Sequence, residues 1–231
     1  MWVLAMAVAL ASARYFLNPA PLLVPPQTLA LARHPEWVLL HVACGVAALA
    51  AGPFQFLASL RATRPAVHRA TGYVYLAAVL LGGCAALRLS GDTAQFVADG
   101  LNDNTVFDLL GITPAALGLA TGGAYDPSQF RLVVLAFATL SVVWIFTAVA
   151  ALVRARQRRF DDHRAWMIRS YSLTFGAVTV RFLALPLLFV TQDPALAVTL
   201  TFWSWIVNLM VAEWLVRRAS TAALRPIAAS A

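Results

Sequence analysis

The sequence predicts an all-α membrane protein, a bundle of about six transmembrane helices with both termini in the cytoplasm. The composition is 61% hydrophobic, only 12% of the residues are charged, and the mean hydropathy is +0.76. Such values lie outside the range of ordinary soluble domains. The apolar residues also occur in runs of about 20, the length that a helix needs to cross a bilayer. We therefore expect the lipid bilayer to be the main partner of the chain.

One transmembrane domain is expected over residues 1–218. Its first helix is predicted within residues 1–17. The tripeptide at 11–13 resembles a signal-peptide cleavage site, but no positively charged region precedes the apolar run, which favours a retained helix. A proline-rich, extended linker then leads to Pro35. Residues 219–231 are expected to form a flexible cytoplasmic tail.

The remaining apolar runs predict further spans. In chain order they cover residues 36–60, 68–89, 130–153, 163–190 and 194–215. Residues 90–129 differ from them, because aspartate, asparagine and glycine are frequent there and only residues 106–120 are apolar. This apolar piece is too short for a span and contains a proline. Residues 90–129 are therefore expected to form a long extracytoplasmic loop or a re-entrant segment.

The distribution of arginine sets the predicted orientation. The net charge is +7, and the arginines cluster in residues 61–69, in residues 154–159 and at Arg217 and Arg218. Short arginine-rich loops beside spans stay in the cytoplasm, so these three segments predict the inner side of the cytoplasmic membrane. No basic stripe with interleaved aromatic residues occurs in the sequence, and no nucleic-acid partner is expected.

Two predicted spans carry a polar or small face along their length. Residues 4, 7, 11, 14 and 18 positions apart lie on one face of a helix. From His41 this face carries Gly45, Ala48, Gly52, Gln55 and Ser59. From His163 it carries Met167, Ser170, Thr174, Ala177 and Arg181. Polar side chains are costly in lipid, so both faces should point into the bundle, and Pro53 should bend the first of them near its inner end.

Arg181 is predicted to lie near the outer surface. It stands about 27 Å along the helix from His163, at a depth similar to that of His41. A charge at this depth faces the bundle interior, a water-filled cavity or an anionic partner, or it snorkels to the surface. A propionate, a quinone oxygen or another small anionic molecule is the predicted ligand of Arg181 and His41. The alternative for His41 is a hydrogen bond to Tyr171 or to a backbone carbonyl.

An approximate repeat places two histidines at matching depths. HRATGYVYL begins at His68 and HRAWMIRSYSL begins at His163, each after an arginine-rich turn. Histidine pairs from two helices are usual ligands of haem b, so His68 and His163 are candidate haem or metal ligands at the inner surface. The alternatives are a His-Arg pair that contacts lipid phosphates and caps the turn, or handling of protons or substrate.

Four other polar residues are predicted within the membrane: Gln55, Arg169, Asn208 and Glu213. Glu213 has Arg217 four residues on and should form a structural ion pair at the inner surface. Asn208 is expected to join helices by hydrogen bonding. The tryptophans of the last span suit the membrane-interface belt and packing, and they are Trp203, Trp205 and Trp214.

Four blocks of the sequence resemble a family of bacterial predicted membrane proteins that contain domain of unknown function 2306. The blocks are HVACGVAALAAGPFQF, PAVHRATGYVYL, FDDHRAWMIRSYSLTFGAVTVR and WIVNLMVAEWLVRR, within residues 36–218. The resemblance implies a multi-pass inner-membrane protein and no particular activity; the insert at 90–129 departs from the family pattern. Four-helix di-haem cytochromes are similar only in architecture. They use two histidine pairs, and His41 has no outer partner histidine.

These observations support three hypotheses of function. The first is a haem b-binding electron-transfer protein with His68 and His163 as ligands. The second is a small transporter or channel-like protein with His41, Gln55, Arg181 and Asn208 along a polar pathway. The third is a non-catalytic assembly protein whose polar residues fasten helices. The sequence contains no P-loop, Rossmann glycine set, nucleophile motif or HExxH, so it does not support the enzyme classes that carry them.

Overall fold

The computed structural model describes residues 2–13, 34–98, 127–191 and 194–228, and every regular element in these ranges is helical. The α-helices are α1 (Trp2–Ala13), α2 (Pro35–Ala51), α3 (Ala58–Thr63), α4 (Pro65–Ala98), α5 (Pro127–Arg156), α6 (Phe160–Thr174), α7 (Gly176–Thr191), α8 (Pro194–Trp203) and α9 (Trp205–Ala228). A 3-10 helix, Gly52–Phe56, follows α2. The prediction of an all-α membrane helix bundle is confirmed.

Local sequence explains where the helices of the first hairpin begin and end. Pro35 opens α2 and Pro65 opens α4, at positions where the missing N–H costs nothing. Pro53 cannot continue the α-helical hydrogen bonding, so the chain tightens into the 3-10 helix after Ala51 and becomes extended at Leu57. The predicted bend at Pro53 is therefore confirmed.

Residues within the turn between α5 and α6 explain its conformation. Arg158 adopts a left-handed conformation with φ of 60°, which reverses the chain between the two helices. Asp161 and Asp162 lie in the first turn of α6, where negative charge interacts favourably with the helix N-terminus. The Asp162 carboxylate also pairs with Arg159 at 2.6 Å.

Within the described ranges, four helical stretches are long and apolar enough to cross a membrane: Pro35–Phe56, Pro65–Asp92, Arg131–Arg156 and Thr199–Thr221. Val3–Ser12 is a shorter apolar helix. The predicted fifth span is divided into α6 and α7 at Phe175, and the predicted sixth span is divided into α8 and α9 at Ser204. The total of six spans and the cytoplasmic termini stay predictions.

The core of the bundle lies among α2, α4, α5 and α6. Its largest buried side chains belong to Tyr75, Trp144, Met167 and Tyr171, which pack with small residues such as Ala48. α1 packs against α2 and α7 through Ala5, Val8, Ala9, Leu49 and Val178. α8 joins α5 through Val133, Ala136 and Phe202. Exposed apolar side chains such as Leu81, Val142 and Phe146 cover the outside, as suits a surface against lipid.

Several predicted boundaries differ from the structure. α4 continues past residue 89 to Ala98, and α9 continues to Ala228, where a flexible tail was expected. The extension of α9 is rich in alanine, which favours helix over coil. The polar face of the second span ends at Gln55, because Ser59 belongs to the separate helix α3 and is exposed. The linker at 14–33 and the apolar piece at 106–120 lie outside the described residues.

Candidate functional site

A buried network of hydroxyl groups lies at the centre of the bundle. The Tyr75 hydroxyl of α4 lies 2.9 Å from the Ser170 Oγ and 2.8 Å from the Thr174 Oγ1, both on α6. The Trp144 indole N–H of α5 donates to the Thr174 Oγ1 at 2.8 Å. Tyr75 is only 1% exposed. Three helices are thus joined by hydrogen bonds in a region that water does not reach.

The direction of each hydrogen bond in this network follows from the valence of the hydroxyl groups. The Thr174 Oγ1 donates its proton to the Ser170 carbonyl oxygen at 3.1 Å and accepts from Trp144. Its remaining lone pair accepts from Tyr75, so the Tyr75 O–H donates to Thr174. The Ser170 hydroxyl then donates to the Tyr75 oxygen. Every member has a partner, which is the condition under which a buried polar network stabilises a fold.

The two histidines of the sequence repeat lie at matching positions relative to this network. His68 stands seven residues before Tyr75 on α4, and His163 stands seven residues before Ser170 on α6. Because the Tyr75 and Ser170 side chains are hydrogen-bonded, both histidines lie about two turns before this contact and at similar depth. Joint ligation by His68 and His163 stays a prediction.

The ring nitrogens of these two histidines are in different situations. The His163 Nδ1 donates to the Ala151 carbonyl oxygen at 2.8 Å, so Nε2 keeps the lone pair in the neutral ring. This arrangement is typical of histidines that bind metals through Nε2. The His68 Nδ1 is buried and has no hydrogen-bond partner in the part of the chain that the structure describes. A buried polar nitrogen without a partner is uncommon and calls for an explanation.

The described residues do not contain a cluster of ligands that could hold a free metal ion. Within the described ranges, no three His, Cys, Asp or Glu side chains come together in a group that could hold an ion. Haem iron differs, because the porphyrin supplies four of its ligands and the protein supplies one or two. Two histidines are enough to supply these one or two protein ligands.

His41 forms a hydrogen bond to a backbone carbonyl, which is one of the alternatives that the sequence left open. Its Nδ1 donates to the Gly82 carbonyl oxygen of α4 at 2.9 Å, and its ring lies 5.7 Å from that of Phe137. Tyr171 instead places its hydroxyl 3.5 Å from the Leu49 carbonyl oxygen. Arg181 belongs to α7, but its side chain lies outside the described residues, so its predicted proximity to His41 stays a prediction.

Gln55 and Asn208 both bind other side chains within the bundle. The Gln55 Nε2 donates to the Thr71 Oγ1 at 2.8 Å and fixes the 3-10 helix against α4. The Asn208 Nδ2 donates to the Thr179 Oγ1 at 2.9 Å and joins α9 to α7. The role of Asn208 as a link between helices is as predicted.

Glu213 and Arg169 form an ion pair that sequence spacing did not indicate. The Glu213 Oε2 accepts from the Arg169 Nη2 at 2.7 Å and from its Nε at 3.0 Å, which ties α9 to α6. The predicted pair of Glu213 with Arg217 is also present, at 3.0 Å. The Arg169 guanidinium lies 4.9 Å from the Trp166 ring centre. This cluster joins helices and leaves no free carboxylate oxygen on Glu213.

Other residues were missed or placed differently by the sequence. Trp144 lies within an apolar run, and nothing in the run distinguishes it from a packing residue. Of the tryptophans predicted for the interface belt and for packing, Trp205 is buried, whereas Trp214 is 55% exposed and lies under the Arg218 guanidinium. His34 lies 3.4 Å from the Asp92 carboxylate, which links the start of α2 to the far part of α4.

The fold and its buried polar contacts define a multi-pass helical membrane protein. The family model described as predicted membrane protein, DUF2306, matches residues 38–120 and 118–216. Because these matches cover most of the chain, the protein belongs to the DUF2306 family. Comparison with curated proteins and with solved structures gave no significant match.

Proposed function

We propose that the protein is a haem b-binding electron-transfer protein of the bacterial cytoplasmic membrane, with His68 and His163 as the ligands of the haem iron. One observation carries the proposal, namely two histidines at matching depth on α4 and α6 that each retain a ring nitrogen without a hydrogen-bond partner among the described residues. His163 retains Nε2 because Nδ1 is bonded to Ala151, and the buried Nδ1 of His68 is unpaired among the described residues.

The residues around the pair would support this role. Haem supplies a carrier for one electron at a time, and the protein supplies ligands, orientation and a dry environment. The Ala151 carbonyl holds the His163 ring in one tautomer and one orientation. Tyr75 and Tyr171 fill the bundle about two turns further outward and keep water from the outer side away from the histidines.

A redox partner would be a quinone or another small anionic molecule. The predicted contact for it is the outer end of the bundle near His41, with Arg181 as the positive charge. Electron transfer between this end and the inner histidines would cross the bundle through its aromatic core.

The transporter hypothesis and the assembly hypothesis explain fewer of the observed polar contacts. A polar pathway through Gln55 and Asn208 would have to break the bonds of these residues to Thr71 and Thr179. A purely structural role explains these paired groups but gives no reason for the unpaired buried nitrogen of His68. It predicts that alanine at His68 and His163 lowers bundle stability without removing a ligand.

An absorption spectrum tests the proposal. The protein would be expressed with a haem precursor and purified in detergent, and we expect a Soret band whose position shifts on reduction. The variants His68→Ala and His163→Ala should lose most of this absorbance, and added imidazole should restore part of it. His34→Ala is the control, since His34 lies at the other end of α4, and it should keep the band. A wild-type protein without Soret absorbance would refute the haem proposal.

A further inference from the structure

Two helices of the bundle are interrupted in the middle of the membrane. At Phe175, between α6 and α7, the carbonyl oxygen accepts from the Val178 N–H at 2.9 Å. At Ser204, between α8 and α9, the carbonyl oxygen accepts from the Val207 N–H at 3.1 Å. Both are i→i+3 hydrogen bonds of the 3-10 type. The Phe175 carbonyl oxygen also accepts from the Thr179 N–H at 3.1 Å. Phe175 stands about 18 Å along the helix from His163, near the centre of a hydrocarbon layer about 30 Å thick.

The two interruptions lie against each other. A Cβ placed on Gly176 would lie 3.6 Å from the Trp205 Cβ and 3.8 Å from the Asn208 Nδ2. The bond between Thr179 and Asn208 then joins α7 and α9 just beyond this contact. Gly176 is the first residue of α7 and Trp205 is the first residue of α9. The first turns of α7 and α9 therefore lie against each other inside the bundle.

This junction contains buried hydrogen-bonding atoms that lack partners. Ser204 is 5% exposed and Trp205 is 6% exposed. The Ser204 Oγ and the Trp205 Nε1 have no hydrogen-bond partner in the ranges that the structure describes. Such groups are costly in a hydrocarbon environment, because lipid tails offer them no hydrogen bond. Two of them in consecutive residues indicate that something else binds there.

The chemistry of these atoms defines what they bind. An indole N–H donates and does not accept, and a serine hydroxyl can donate as well. The matching group is an oxygen that accepts hydrogen bonds, such as a quinone carbonyl or a carboxylate. The next residues along α9, Ile206 and Val207, are exposed on the outside of the bundle. A ligand dissolved in the membrane would reach the junction from that side.

We infer that the junction of the two interrupted helices binds an acceptor oxygen of a membrane-dissolved small molecule, with the Trp205 N–H and the Ser204 O–H as donors. Two sources share this chemistry, a quinone-type carbonyl and a fatty-acid carboxylate. The site lies midway through the bilayer and uses neither His68 nor His163. It therefore does not depend on the haem proposal.

Calorimetric titration of the detergent-purified protein tests the inference with two probes, decylubiquinone and oleate. We expect saturable binding of one of them, and the one that binds identifies the source. Trp205→Phe keeps the ring and removes the N–H, and Ser204→Ala removes the hydroxyl. Each should weaken binding about tenfold, the effect of one lost hydrogen bond in a buried site.

The matched control is Trp214→Phe, the same change at an exposed position on the same helix, which should leave the binding constant unaltered. Thermal unfolding of each variant verifies that it is folded. If Trp205→Phe does not fold, the binding constant of Ser204→Ala decides the test. The inference is wrong if neither probe binds, or if both donor variants bind as tightly as the wild type. The titration repeated on His163→Ala should give the wild-type constant, so that loss of haem and loss of this site are distinguished.

Discussion

Tyr75 shows how much the interior depends on single polar groups. Its hydroxyl joins α4 to α6 through Ser170 and Thr174, and Thr174 in turn receives the indole proton of Trp144. The sequence repeat already marked a tyrosine about two turns after each of the paired histidines. It could not identify the hydrogen-bond partners, because Tyr75 and Ser170 are 95 residues apart in the chain. Only tertiary packing brings them together, because α4 and α6 both pack against α5.

Removal of the Tyr75 hydroxyl should therefore destabilise the bundle. Tyr75→Phe leaves both Ser170 and Thr174 with an unmet bond, and we expect the free energy of unfolding to fall by about 1–2 kcal/mol. Tyr171→Phe is the matched variant, because its hydroxyl makes one long contact of 3.5 Å with the Leu49 carbonyl. Tyr171→Phe should lower the free energy of unfolding by less than half of the loss expected for Tyr75→Phe. Unfolding by SDS in mixed micelles measures both, and equal losses would contradict the role given to the network.

At the scale of the helices, close approach of backbones holds the bundle together. A Cβ placed on Gly82 of α4 would lie 2.7 Å from the Cys44 Cβ of α2, closer than such atoms can approach. The same approach lets the His41 ring reach the Gly82 carbonyl. Glycine at this position was visible in the sequence, but its neighbour depends on how α2 and α4 are rotated against each other.

Two alanine substitutions on α4 separate packing from helix propensity. Gly82→Ala should lower the free energy of unfolding by about 1–3 kcal/mol, because the Cys44 Cβ lies close to its own backbone and cannot move away. Gly91→Ala meets no atom within 4 Å and should raise stability by up to about 1 kcal/mol. Thermal unfolding in detergent compares them. The double variant Gly82→Ala with Cys44→Gly should recover part of the loss, and no recovery would argue against this contact.

The molecule as a whole is organised by charge at its two ends and by apolar surface between them. Exposed apolar residues follow the outside of the long helices, while the arginine clusters follow the turns at one end. The turn between α5 and α6 carries arginine on both sides of the left-handed Arg158. Glu36, at the start of α2, belongs to the opposite and less basic end.

Labelling with a membrane-impermeant maleimide tests this orientation. Cys44 and Cys84 would first be replaced by alanine, and single cysteines introduced by Glu36→Cys or Arg158→Cys. In intact spheroplasts we expect labelling at position 36 alone, since basic loops stay in the cytoplasm. Lysis should expose position 158 as well. Labelling of position 158 in intact spheroplasts would reverse the predicted topology.

The sequence by itself determined the medium, the helical class and the clustering of arginine at the turns. These follow from composition and from a period of 3.6 residues, both local properties of the chain. The tertiary structure alone decided which polar group meets which. It paired Glu213 with Arg169, turned His41 to Gly82 and brought the breaks at Phe175 and Ser204 together. The reason is physical: a hydrogen bond between helices depends on their relative depth and rotation, and these are set by packing among residues far apart in the chain.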